Sequence, residues 1–228
     1  PQVAYKESFG LTVTHREVLK KQSGGRGKFA DIQFDLGPAD EEWLAANEGK
    51  NFQFENALFG GSIPKEFHQS IQKGFETSMT TGVLAGYPVN NMKVRIFDGS
   101  YHDVDSDAMS FELCAKSGFR EAGRKAKPTL LEPIMKVEVL TPDQYMGDVT
   151  GDLNRRRGML EGMDSRANLQ VIKAKVPLSE MFGYVTQLRS LSSGRATSTM
   201  EFSHYNPAPN NVAEEVIAKN KGKVKIEE

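Results

Sequence analysis

A single cysteine, Cys114, stands in the 228 residues, so neither a disulfide framework nor a thiolate metal cluster can be built. No stretch approaches the roughly 18 consecutive apolar residues of a membrane-spanning helix, and no basic-then-apolar leader opens the chain. It starts PQVAYKES without an initiator methionine, an abrupt strand-like opening expected of a piece cut from a longer protein. The net charge is only −1, which by itself gives no signal for nucleic acid. Four scattered histidines, His15, His68, His102 and His204, include no pair at zinc-ligand spacing. No run of glycine, four residues and Gly-Lys-Ser/Thr exists, which excludes nucleotide binding through a Walker A loop. One cysteine beside nine methionines fits a reducing, cytoplasmic setting.

What is present is ordinary globular material, with 26% charged and 38% hydrophobic residues. A break falls at AKPTLLEP (126–133), where two prolines separate a helical pattern from an alternating one. Two domains are therefore expected, 1–127 and 128–228, both α+β. In the second, strands are expected at 134–140, 159–163, 169–176 and 195–204. Helices are expected at 143–157 and from a Ser179 cap through a face of Met181, Val185 and Leu188. The order βαββαβ is that of a ferredoxin-like domain, followed by a short helix at 212–219. The first half reads as strands at 3–9, 11–18, 29–36, 52–56 and 89–97. Helices there run from Ser62/Pro64 through Phe67, Ile71, Phe75 and Met79, and over 105–125 on a stripe of Ala108, Phe111, Ala115, Phe119 and Ala122. An acidic insertion at 37–49 holds Trp43, in a short helix.

Three stretches carry candidate chemistry. GRGKFA (25–30) matches the dinucleotide fingerprint formally. The strand-like FADIQFDL follows where a helix must start, so a cationic, glycine-rich hairpin tip is the better reading. DVDSD (103–107) starts like a calcium loop but has Ala108 at the glycine position and Cys114 at the glutamate position. Asp105 or Ser106 is expected to cap the next helix instead, with Asp107 in its first turn. His102 and Tyr101 are suited to stacking on unpaired bases. A metal- or acid/base-dependent enzyme centred on His102, Asp103 and Asp105 is the competing reading; bound zinc or calcium would mark it. Arg155, Arg156 and Arg157 in a row exceed what a helix dipole needs, which points toward phosphate.

LLEPIMKVEVLTP (130–142), GDVTGDLNRRRG (147–158) and PLSEMFGYVTQLRS with GRAT and MEF (177–202) resemble the last domain of the bacterial translocation factor family, elongation factor G. KQSGGRG (20–27), LAGYPV (84–89) and GSYHDVDS (99–106) resemble the domain before it. The resemblance implies domains IV and V alone: a domain IV with the fold of ribosomal protein S5 domain 2, and a ferredoxin-like domain V. The parent would be a GTPase whose GTP- and Mg-binding domain lies outside this chain. The chain itself would be no enzyme and would hold no cofactor or metal. Implied partners are the ribosome, tRNA, mRNA and ribosomal RNA; no membrane and no oligomer is expected. Tip residues implied to touch tRNA, mRNA or ribosomal RNA are Ser23, Gly24, Gly25, Arg26, Gly27, Lys28, Ser100, Tyr101 and His102. Arg155, Arg156, Arg157, Arg189 and Arg195 would face large-subunit RNA. Lys28-Phe29-Ala30 departs from the more usual Gln-Tyr-Gly, and Asp107 stands where a serine is common. Such drift leaves a second reading open, a diverged paralogue used in ribosome recycling or protection.

Overall fold

The computed structural model describes residues 3–22 and 25–221. The chain forms two compact units. One is Lys6–Leu130 together with the segment from Ala208 onward; the other is Leu131–Pro207 together with residues up to Tyr5. The segment from Ala208 groups by compactness with the first unit, where the Ala208 N–H donates to the Leu130 carbonyl and the Asn220 amide to the Tyr87 hydroxyl.

The first unit contains β1 (Lys6–Phe9), β2 (Val13–Lys21), β3 (Lys28–Pro38), α1 (Glu41–Ala46), β4 (Phe52–Asn56), α2 (His68–Ser78), β5 (Met92–Ser100) and α3 (Ala108–Lys125). Its four-stranded sheet has the order β2-β3-β5-β4, antiparallel except for β4, which runs parallel to β5. Alternation along the strands sends Ala30, Ile32, Phe34 and Leu36 of β3, and Met92, Val94 and Ile96 of β5, to one face. There they meet Ile71 and Phe75 of α2 and Phe111, Ala115, Phe119 and Ala122 of α3 in one core. Ala108 begins α3 but is exposed, so the stripe starts at Phe111. Cys114 lies inside this core and donates toward the Glu17 carbonyl at 3.3 Å; burial pushes its thiol up to about 12, which makes it an inert packing group. β1 is shorter than expected, and β2 is shifted two residues later to run into Lys20 and Lys21.

Glu7 of β1 is a buried carboxylate at 1% exposure, and its backbone bridges Val89 in parallel. Its Oε1 accepts the N–H groups of Val83 and Leu84, both at 2.8 Å. Its Oε2 accepts those of Ala85 at 3.0 Å and Tyr87 at 2.9 Å. The LAGYPV run is thus a loop wrapped around one anion. The amides of Leu84, Ala85 and Tyr87, outside any helix or strand ladder, are satisfied by that side chain, while the Val89 N–H donates to the Met79 carbonyl.

β6 (Pro128–Pro142) carries the chain into the second unit, which adds α4 (Met146–Arg155), β7 (Met159–Arg166), β8 (Leu169–Pro177), α5 (Tyr184–Ser192) and β9 (Thr197–Pro207). The sheet order β9-β6-β8-β7 with antiparallel pairing is the ferredoxin-like arrangement. Val137, Val139, Ile172, Ala174 and Val176 pack under Val149, Leu153, Tyr184 and Leu188. Two helix starts differ from expectation. A 3-10 turn, Asp143–Tyr145, precedes α4. Ser179 lies in another, Leu178–Glu180, and caps nothing, since α5 begins only after Gly183. Tyr184 and Leu188 therefore face inward four residues apart, and Val185 is exposed. The chain closes with α6 (Asn210–Lys219). Among the described residues no helix is long and apolar enough to cross a membrane.

Candidate nucleic-acid interface

The β2–β3 hairpin ends in an unfavourable arrangement of charge. Its register sets Lys20 opposite Phe29 and Lys21 directly opposite Lys28. Like charges so placed repel across the strands. Arg26 and Gly25 are exposed in the turn between them, while Gly27 is buried against the Lys21 carbonyl. Ser23 and Gly24, expected to contact RNA, lie outside the described residues. Among the described residues no carboxylate forms an ion pair with Lys20, Lys21, Arg26 or Lys28. Four cations crowd one hairpin end, and the nearby Asp107 carboxylate offsets only part of that charge.

The β5–α3 loop lies against this hairpin. Ser106 is buried, and its hydroxyl donates to the Phe29 carbonyl at 2.7 Å while accepting the His102 N–H at 2.9 Å. The Phe29 N–H donates to the Asp105 carbonyl at 2.9 Å, and Arg26 Nε donates to the Val104 carbonyl at 2.8 Å. The His102 ring stacks on Phe29, with centroids 3.6 Å apart and planes 6° apart. One face of the imidazole is therefore taken and the other is left outward. Tyr101 is also exposed, at 39%. Ser100, expected at the contact surface, is turned into the sheet: its hydroxyl donates to Asp31 at 2.6 Å. The same buried carboxylate takes the Arg16 fork at 3.0 and 2.9 Å. Gly99 is required there, because a Cβ would collide with the Asp31 carbonyl and the Ile63 side chain.

The helix cap falls one residue after Ser106 and two after Asp105, the residues expected from the sequence. Asp107, extended at φ −146°, accepts the Ser110 N–H at 2.7 Å and starts α3. Hydrogen bonds from Ser110, helped by nearby Arg26 and Lys28, hold its carboxyl below the ordinary carboxylate range. A depressed folded-state pKa means that this stabilisation is present above about pH 4 and lost as pH falls through the depressed value. Asp107→Ala is expected to cost about 1 kcal/mol at neutral pH. The gap between wild-type and variant urea midpoints should close as the pH drops below that range. A gap constant down to acid pH would rule out an ionised cap.

In the second unit the arginine run divides. Arg155 is exposed at the end of α4. Arg156 folds back, with Nε on Asp152 at 2.9 Å, a terminal nitrogen on the Glu180 carbonyl at 2.6 Å and its guanidinium 5.0 Å from the Tyr184 ring centre. Arg157, in the left-handed region at φ 57°, grips buried Glu132 with both terminal nitrogens, at 2.9 and 3.1 Å, and reaches Glu180 at 3.2 Å. Arg156 and Arg157, expected to face phosphate, are thus held by carboxylates of the same unit, two of which, Asp152 and Glu132, are buried. Arg189 and Arg195 are exposed, and Arg195 lies 5.9 Å from the Tyr145 ring centre. Hydrogen bonds with Ser193, Gln144 and Arg195, in that order of weight, lower the Tyr145 hydroxyl's pKa against the opposing effect of burial. Among the described residues no group of three or more His, Cys, Asp or Glu is placed to hold a metal.

The unit with the basic, aromatic-bearing sheet end and the ferredoxin-like unit are matched by two family descriptions in chain order. "Elongation factor G, domain IV" matches residues 1–127, and "Elongation factor G C-terminus" matches residues 129–216. The chain belongs to the elongation factor G family. The elongation factor G of Cytophaga hutchinsonii is 62% identical over 222 residues, covering 97% of this chain and 31% of that protein. That of Salinibacter ruber is 54% identical over 217 residues, covering 95% of this chain and 30% of its own length. A crystal structure from Thermus thermophilus superposes with a TM-score of 0.81 at 36% identity, over 96% of this chain and 32% of that one. The chain thus spans about a third of the length of the curated relatives it matches. It is the domain IV and C-terminal portion of a translation elongation factor G.

Proposed function

We propose that this chain is the ribosome-contacting part of an elongation factor G that promotes GTP-dependent movement of tRNA and mRNA. GTP and Mg would be handled by a domain of the parent outside this chain. The observation that carries the reading is the hairpin end, where Lys21 and Lys28 face each other and Lys20 and Arg26 add two more cations, none of the four ion-paired among the described residues. Such an excess of positive charge is stabilised by phosphate. Tyr101 and the outward face of His102 supply rings for bases or ribose. Asp98, Asp103 and Asp105 would be repelled by phosphate and act on the loop instead; Asp98 accepts the Gly99 N–H at 2.8 Å. The first domain, 1–127, would enter the decoding region; the second, 128–228, would meet large-subunit RNA through Arg155, Arg189 and Arg195. The factor would act as a cytoplasmic monomer.

Neutralising the tip in the full-length parent, as Lys21→Ser, Arg26→Ser and Lys28→Ser together, tests this. tRNA–mRNA movement is expected to slow while ribosome-stimulated GTP hydrolysis continues. The salt dependence of binding should flatten by about two to three phosphate equivalents. Unchanged translocation kinetics would sink the reading.

A further inference from the structure

We infer that Phe59 is a third contact of this tip, a platform on which an unpaired nucleobase stacks; the inference rests on the RNA-contacting reading above. β4 runs parallel to β5, so the loop after β4 leaves the sheet at the end where β5 passes into the His102 loop. It then returns against that loop's root, for the buried Ile63 side chain fills the space that a Cβ on Gly99 would need.

The base of the loop is fixed. The Ala57 N–H donates to the Ile96 carbonyl at 2.8 Å, and the Leu58 N–H to Asn56 Oδ1 at 3.1 Å. His68 joins the two sides, bonding the Ile63 carbonyl through Nε2 at 2.9 Å and the Asn56 amide through Nδ1 at 3.0 Å. Leu58 packs on the core and Ile63 is inside it. Between these two inward residues Phe59 points out at 83% exposure, the highest of any large apolar side chain among the described residues.

A phenylalanine so placed is not exposed for want of a core, since neighbours on either side reach it. Gly60 and Gly61 follow at φ 70° and 69°, with no atom near where their Cβ atoms would be. The ring therefore stands on a fixed base, with no side chain on the next two residues to obstruct a flat partner. An apolar pocket of a protein would bury a rim as well as a ring, and the residues that follow Phe59, Gly60, Gly61 and Ser62, bring no apolar side chain to such a rim. A nucleobase needs a face alone, and the hairpin cations at the same sheet end supply the attraction for its backbone.

The test uses this chain at low salt with two probes, a short single-stranded oligoadenylate and inorganic polyphosphate. Phe59→Ala is expected to lower oligoadenylate affinity about five- to thirtyfold and to leave polyphosphate affinity unchanged. Phe59→Trp should keep oligoadenylate binding, and Lys21→Ser should weaken both probes. If Lys21→Ser weakens binding while Phe59→Ala does not, the Phe59 assignment falls and the tip reading stands. If Phe59→Ala weakens both probes equally, stacking is overturned. A loss seen with small ribosomal subunits but not with oligoadenylate assigns the ring to a protein and overturns it too. If Lys21→Ser changes neither probe, the tip reading itself fails.

Discussion

Glu7→Gln is expected to lose about 3 kcal/mol of stability although the two side chains share a shape. The wild-type carboxylate presents two acceptor oxygens to four N–H groups, and it is buried. Glutamine keeps one oxygen and replaces the other with an amino group, so at least two buried amides face a donor. No flip of the amide repairs this, because each oxygen of the carboxylate serves two amides. A urea or thermal melt of the first unit reads the effect directly. A loss below about 1 kcal/mol would mean that water can replace the carboxylate in the loop. Glu7→Ala, which opens room for water, is expected to cost a similar amount for a different reason, lost packing together with unmade bonds.

Arg157→Ala should cost about 3 kcal/mol, because it leaves Glu132 charged and almost wholly buried without its partner. The penalty belongs chiefly to the stranded carboxylate. Glu132→Gln added to Arg157→Ala is therefore expected to recover part of the stability, although each single change destabilises. Arg157→Gly separates a further contribution. It also removes the pair but relaxes a backbone held at φ 57°, so it should melt above the alanine variant. Additive losses in the double variant would show that the fork bond carries no coupling.

The same arginines show where sequence reading reaches and where it stops. The βαββαβ order of the second unit was legible because alternation and helical spacing report one face at a time. The partners of Arg156 and Arg157 were not legible. Glu132 is 25 residues away, in the proline-flanked stretch that reads as the break between domains, and nothing local announces a buried carboxylate there. At the tip, the glycine-rich and histidine-bearing loops were visible as chemistry-bearing stretches, but not their mutual fastening. Ser106 was a plausible cap because a hydroxyl before a helix usually is one; a carbonyl 77 residues away claimed it, and Asp107 took the cap. Ser100 was lost to Asp31 in the same way. Phe59 had a local signal, an aromatic followed by two glycines, but burial had to be known before its exposure meant anything.

The fastening of the two tip loops has a mechanical consequence. Ser106 bonds both loops, Arg26 and Phe29 add two cross-ties, and the Phe29–His102 stack resists shear between them. β3 and β5 continue from these loops as adjacent hydrogen-bonded strands. A load applied at either loop is thus shared by both and passes along the strand axis, where an extended backbone is least compliant. The sheet end behaves as a strut: it transmits thrust into the body of its unit instead of yielding at the point of contact.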